Sequence, residues 1–107
     1  MVNYLTENGQ SPFEKWFNSL KDRKAKQKIR LRLDRVQLEN LGDYKTLGDG
    51  IFELRIDYGG GYRIYYGREN LTIILLLCGG DKSTQQQDIN QAKKYWKDYE
   101  NRRKFNN

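Results

Sequence analysis

The chain has no histidine, a single cysteine and a single proline in 107 residues. Without histidine, the side chain most often used to move protons near neutral pH is missing, so most Ser/His and Cys/His hydrolytic designs are closed. One cysteine excludes a disulfide scaffold and a cysteine-rich metal site; Cys78 sits in an apolar run and reads as a buried structural thiol. That run, Leu71 to Cys78, is the longest apolar stretch and is too short to span a bilayer. Met1 to Gln10 lacks the charged start and apolar centre of a secretion signal, so a cytoplasmic location is expected. Nor do the glycines make a phosphate loop: Gly59-Gly60-Gly61 stands between two strand-like segments, and no Gly-Lys-Ser/Thr ending is present. No repeat, linker or low-complexity segment divides the chain, and one domain over residues 1–107 is expected.

What the chain does have is basic charge. Twenty Lys and Arg stand against 14 Asp and Glu, a net charge of +6. On a small chain this points to a polyanionic partner, nucleic acid first, with a merely soluble surface as the alternative.

The most informative stretch is Gly50 to Gly67, where β-branched and aromatic residues alternate with polar ones on both sides of the glycine triplet. That pattern is a β-hairpin. Parity puts Phe52, Leu54, Ile56 and Tyr58 on one face of the first strand and Glu53, Arg55 and Asp57 on the other. In the second strand Tyr62, Ile64 and Tyr66 oppose Arg63 and Tyr65. A three-residue turn keeps the two polar sets together, pairing Tyr58 with Tyr62, Ile56 with Ile64, Asp57 with Arg63 and Arg55 with Tyr65. A two-residue turn would bring Arg63 beside Ile56 on the core side, and an unpaired buried guanidinium costs several kcal/mol. One face of the hairpin is therefore oily, and the other carries the polar candidates.

The remaining segments frame this hairpin. Val2 to Leu5 suits a short edge strand, and Ser11-Pro12-Phe13-Glu14 opens a helix with a capping box and an aromatic stripe of Phe13, Trp16 and Phe17, completed by Leu20. Asp22 caps a longer helix that ends near Leu41-Gly42, with Ala25, Ile29, Leu33 and Val36 inward and Leu31 and Leu38 nearly opposite. Its flank of Lys24, Lys28, Arg32 and Arg35 reads as a solvated face or a phosphate-binding one. Tyr44 to Leu47 is an extended lead-in, and Leu71 to Cys78, apolar on both parities, is a covered third strand of a meander. Gly79 to Thr84 forms a loop in which Ser83 or Thr84 caps a last helix with Ile89, Ala92, Trp96 and Tyr99 buried. The order predicts an α+β fold: a small antiparallel sheet packed against an N-terminal helical pair and a C-terminal helix.

The chemistry-bearing residues converge on cations. Arg55 and Arg63 share a sheet face, and Lys82 leaves the neighbouring strand at its end. Arginine forks match phosphate oxygens, and a lysine near two guanidiniums is disfavoured as an ammonium, the condition for a general base. Tyr65, or Tyr62 near the turn, suits base stacking or proton transfer. The competing reading is structural, with Glu53 and Asp57 neutralising both arginines across the sheet. Glu53, Asp57 and Asp81 are interleaved with arginines, which favours salt bridges over a metal site.

The segments Leu47 to Arg55, Tyr62-Arg63-Ile64 and Leu75 to Thr84 leading to Asp88-Ile89 and Ala92, with the opening Ser11 to Trp16, resemble the RelE/ParE toxin superfamily. Within it, the chain is most similar to phage-derived, HigB-like addiction-module killer proteins. The resemblance covers nearly the whole chain and implies a microbial RNase-like fold in a bacterial type II toxin. Such a toxin is held by a helix-turn-helix antitoxin and acts as an mRNA endoribonuclease on the ribosome, inhibiting translation without a metal or other cofactor. The family's Leu-Arg and Tyr-Arg strands fall on Arg55 and Arg63, and its glycine-then-lysine segment falls on Lys82. Catalysis is thus expected at Arg55, Arg63, Lys82 and Tyr65, RNA contacts at Lys45, Tyr62, Lys24, Lys28 and Arg35, and antitoxin docking at Leu31 and Leu38. The fold also hosts gyrase-poisoning toxins, so a non-catalytic gyrase inhibitor and a plain RNA-binding module stand as alternatives.

Overall fold

The computed structural model of the protein describes residues 1–70 and 73–105, with the Phe105 side chain left out. The α+β order expected from the sequence is present: β1 (Val2–Asn3), α1 (Pro12–Ser19), α2 (Arg23–Gln37), β2 (Tyr44–Gly48), β3 (Ile51–Ile56), β4 (Tyr62–Glu69), β5 (Ile73–Asp81), a 3-10 turn (Lys82–Thr84) and α3 (Gln85–Phe105). The strands form one sheet in the order β1-β5-β4-β3-β2. The meander β2 to β5 is antiparallel, and β1 is added at the edge, parallel to β5, with Val2 opposite Leu75. The expected start of the third meander strand, Leu71 and Thr72, lies outside the described residues.

Helix starts follow the caps. Ser11 Oγ accepts the Glu14 amide at 3.1 Å with Pro12 in the first turn, and Asp22 Oδ1 accepts the Lys24 and Ala25 amides at 2.9 and 3.2 Å. Glu14 does not complete the reciprocal box its spacing predicts; its carboxylate accepts from Asn3 Nδ2 at 2.9 Å and ties α1 to the edge strand. Helix α2 stops at Gln37, short of the expected Leu41-Gly42, because Glu39 turns into the left-handed region (φ 66°). The chain beyond is held by Arg32, whose guanidinium donates to the carbonyls of Leu41, Asp43 and Arg55 at 2.9, 3.0 and 2.6 Å. Arg32 is therefore a tie between helix and sheet rather than part of a solvated flank.

The hairpin register differs from the three-residue turn. Arg55 stands opposite Arg63, Ile56 opposite Tyr62 and Glu53 opposite Tyr65, and the connection runs over residues 57–61. Gly59 and Gly61 take positive φ (60° and 87°), and the Gly61 amide donates to the Tyr58 carbonyl at 3.0 Å, a compact turn that side-chain-bearing residues would strain. The shift is by an even number of residues, so each side chain keeps its expected face.

The sheet is covered on both faces. Helices α1 and α2 close one with Phe13, Phe17, Ile29, Leu33 and Val36 over Leu54, Ile56, Ile64, Tyr66, Ile74 and Leu76. Helix α3 closes part of the other with Ala92 and Trp96 over Tyr4, Ile51, Tyr65, Leu75, Leu77 and Cys78. Strand β5 runs through Gly79 and Gly80, expected to be loop, because these glycines admit side chains from above: a Cβ on Gly79 would lie 2.3 Å from the Trp16 ring, and one on Gly80 1.9 Å from an Asp88 oxygen. The 3-10 turn is capped by Asp81, which accepts from the Ser83 amide at 2.8 Å, so α3 needs neither Ser83 nor Thr84 as its cap. Among the described residues no helix is long and apolar enough to cross a membrane.

Gly67 is another close approach: a Cβ there would lie 2.1 Å from the Trp96 ring. Gly67→Ala is expected to destabilise the fold by about 1–3 kcal/mol through overpacking. Gly60→Ala, with open space at its Cβ position, should be nearly neutral by comparison in urea unfolding.

Candidate active site

The antiparallel register lays two rows of side chains across one face of the sheet. Lys45, Glu53, Tyr65 and Cys78 form one row, and Arg55, Arg63 and Gly80 form the next. The first row is buried where α3 crosses it: Glu53 and Tyr65 have no solvent exposure. The second row opens into a cleft of about 270 Å³ lined by Arg55, Arg63 and Lys82, with Asp43, Ile56, Asp57, Gly61 and Tyr62 around them. The three expected cationic residues thus meet in one concavity.

Glu53 organises the floor of that cleft. Its Oε1 accepts from Arg55 Nε at 3.0 Å, and its Oε2 accepts from Tyr65 OH at 3.0 Å and from Gln85 Nε2 at 3.1 Å. Arg63 Nε lies 4.0 Å from the same Oε2 and has no hydrogen-bond partner among the described residues, although only 12% of its side chain is exposed. Burial by itself raises the Glu53 carboxyl, but the hydrogen bonds from Gln85, Arg55 and Tyr65 and the Arg55 charge outweigh it and hold the group below its ordinary range. A carboxylate kept ionised beneath two guanidiniums holds Arg55 in place while leaving Arg63 with unused donor capacity.

Tyr65 does not fit the proton-transfer role expected of it. Its hydroxyl is buried and spent on Glu53, and burial, reinforced by the Glu53 charge, pushes its pKa upward. Asp57, expected opposite Arg63, lies beyond the end of β3, is exposed, and makes no ion pair among the described residues; Glu53 is the counter-charge instead. Lys82 opens the 3-10 turn after β5 and lays its stem over Gly61, where a Cβ would come 3.3 Å from Lys82 Cε. A second hollow of about 300 Å³, lined by Gly60, Gly61, Tyr62 and Asp81 to Ser83, continues from that point.

The other expected contacts are spread more widely. Tyr62 lines the cleft with its ring edge-on to Trp16, at 6.3 Å between centroids. Lys45 is exposed on edge strand β2, opposite Glu53 and outside the cleft. Lys24 and Lys28 line a separate groove of about 430 Å³ with Gln27, Leu31 and Tyr58. Arg35 is exposed further along the same helix, and Leu31 and Leu38 are 51% and 80% exposed. Residues 22–37 hold seven Lys and Arg against two Asp, so this one helix with its cap carries five of the chain's six net positive charges. Sequence reasoning passed over Gln85, whose spacing gives no sign that it reaches Glu53, and placed Glu53 only as a cross-strand counter-charge.

Because the folded Glu53 carboxyl lies below its ordinary value of 4.5, the stability it contributes is complete above that value and drains away as pH falls through the lower folded value. Glu53→Gln is expected to cost about 3–5 kcal/mol near neutrality, since it leaves two guanidiniums over an uncharged floor. It should also flatten the loss of stability on acidification below pH 4.5, measured by urea unfolding across that range.

Two sequence comparisons bear on this geometry. A relative from Haemophilus influenzae, described only as an uncharacterized protein, is 56% identical over 81 residues, covering 76% of this chain and 82% of its own. Residues 15–97, which contain every element from most of α1 to the middle of α3 and all three cleft cations, match the family described as Phage derived protein Gp49-like (DUF891). The chain belongs to this Gp49-like, phage-derived family, which is associated with RelE-like addiction-module toxins.

Proposed function

We propose that the protein is the toxin of a type II toxin–antitoxin module, of the HigB-like kind, and cuts mRNA on the ribosome in the cytoplasm. The observation that carries this reading is the meeting of Arg55, Arg63 and Lys82 in one cleft above the buried Glu53 carboxylate. Three cations around a phosphate-sized opening favour a phosphodiester, and no metal or cofactor is needed for the reaction proposed. The RNA's own 2′-oxygen attacks the adjacent phosphorus while its proton passes to Lys82 Nζ, the base of this proposal. The bond from phosphorus to the 5′-oxygen breaks, and the leaving oxygen takes a proton from solvent at the open mouth. The products are a 2′,3′-cyclic phosphate and a 5′-hydroxyl. Arg63, with its unused donors, stabilises the extra charge on phosphorus, and Arg55, fixed by Glu53, orients the scissile group. Tyr62 at the cleft and Lys45 on the edge strand would contact the flanking nucleotides.

In translating extracts, Arg63→Ala is expected to slow cleavage by about 10²–10³, the usual loss for one charge contact at a transition state. Lys82→Arg keeps a cationic donor but lacks an amine to serve as base, so it should bind ribosomes normally and cut far more slowly. Parent-rate cleavage by Lys82→Arg would reduce the lysine to a phosphate clamp. DNA damage without shortened mRNA would favour the gyrase inhibitor, and RNA binding without turnover would favour the plain binding module.

The partner reading rests on α2. Leu31 shares its groove with Lys24 and Lys28, so this part of the expected antitoxin seat adjoins the expected basic RNA flank. An antitoxin segment carrying acidic and apolar residues suits that surface, and its binding would displace RNA from Lys24, Lys28 and Arg35. Leu31→Asp combined with Leu38→Asp is expected to weaken capture of the co-expressed antitoxin at least about tenfold. Unchanged binding in a pull-down would place the antitoxin elsewhere.

A further inference from the structure

The turn that carries Lys82 is fastened from behind by a carboxylate outside the cleft. Gly80 stands opposite Arg63 in the sheet, and the Asp88 side chain occupies the space that a residue at position 80 would fill. A Cβ there would lie 1.9 Å from Asp88 Oδ2 and 2.9 Å from Thr84 Oγ1. Asp88 Oδ2 accepts from Thr84 Oγ1 at 2.5 Å, and Thr84 ends the 3-10 turn that Lys82 begins. The same first turn of α3 sends Gln85 down to Glu53, and the Asp88 carbonyl accepts from Cys78 Sγ at 3.7 Å. Asp88 makes no ion pair among the described residues, so a half-buried carboxylate is kept here for its shape and its hydrogen bond rather than for a salt bridge. Burial pushes its carboxyl above the ordinary range against the pull of the Thr84 hydrogen bond, with Asp81 adding to the rise, so a neutral side chain of the same shape suits the site.

We propose that Asp88 is the positioning residue for Lys82: seated in the notch left by Gly80 beside Arg63, it fixes through Thr84 the turn that aims the lysine over Gly61 into the cleft. This rests on the reading of the cleft as a nuclease site and adds to it the device that sets the reach of the proposed base. Gly80 belongs to the device because any side chain at that position displaces the carboxylate.

The test compares Gly80→Ala, Asp88→Ala and Asp88→Asn in the parent and in a Lys82→Ala background. Cleavage in translating extracts is read beside the backbone amide NMR shifts of Lys82, Ser83 and Thr84. Gly80→Ala and Asp88→Ala should each slow cleavage about tenfold to a hundredfold, as misplacement by a fraction of an ångström to one ångström does, and should move the three amides. Asp88→Asn, which keeps the shape and an acceptor for Thr84, should retain most of the rate and leave the amides in place. On Lys82→Ala, none of the three should cause a further loss, because a device that works only through Lys82 has nothing left to aim. Undisplaced amides, or losses as large on Lys82→Ala as on the parent, overturn the proposal. Should the parent fail to cut RNA, the nuclease reading falls and the amides decide alone: shifts in Gly80→Ala and Asp88→Ala but not in Asp88→Asn sustain the positioning role, and unmoved amides end it.

Discussion

A carboxylate with no contact with water sits under the cationic end of the sheet, and the architecture of that end follows from it. Removed from solvent, Glu53 has to be surrounded by donors, and it draws them from three elements: Arg55 on β3, Tyr65 on β4 and Gln85 at the start of α3. The requirement pins α3 across the buried row and stops it short of the next row, where the cleft lies. Asp43 and Asp57 at the cleft's edge supply further negative charge but make no ion pair with its cations among the described residues. Arg55 is engaged and Arg63 is held only at 4.0 Å, so the cleft keeps unused donors. Those donors, rather than a net charge, distinguish an anion-binding floor from a closed salt-bridge network.

The chain's charge is concentrated elsewhere, on α2, and the two basic regions border one short connection. Tyr58 faces the α2 groove with Lys28 5.2 Å over its ring, while Asp57 and Gly61 line the cleft and Gly61 supports the Lys82 stem. Residues 57–61 therefore separate a surface suited to an acidic partner from a cleft suited to a phosphodiester. A proposed antitoxin seated along α2 needs to extend only past this turn to cover the mouth of the cleft. The family's association with addiction modules fits a layout in which the partner-binding and phosphate-binding surfaces adjoin but use different residues.

Much of this was legible in the chain. Strand parity alone placed Glu53, Arg55, Arg63 and Tyr65 on one face, because the period of two survives any even shift in register. The shift itself was hidden, since the length of a glycine turn depends on which glycines take positive φ. The strand through Gly79 and Gly80 was hidden for a related reason: in a sequence, glycine reads as a break, and only the Trp16 and Asp88 side chains standing over the missing Cβ atoms reveal a close approach. Parity could not say that α3 would cover half of the polar face. That is why Tyr65 looked available when it is buried, and why Arg32, on a helix flank of bases, looked solvated while it binds three carbonyls.

The central claim is that the cleft above Glu53, and not the more strongly charged α2, holds the phosphodiester. NMR titration with a short RNA carrying a 2′-deoxy nucleotide, so that it binds uncut, tests this most directly through the arginine Nε–H and lysine Nζ signals. If the cleft holds the phosphodiester, Arg55, Arg63 and Lys82 shift together at the lowest RNA concentrations, with Lys24, Lys28 and Arg35 following only weakly and with stronger salt dependence. Early shifts confined to Lys24, Lys28 and Arg35, with Arg55 and Arg63 unmoved, would contradict it.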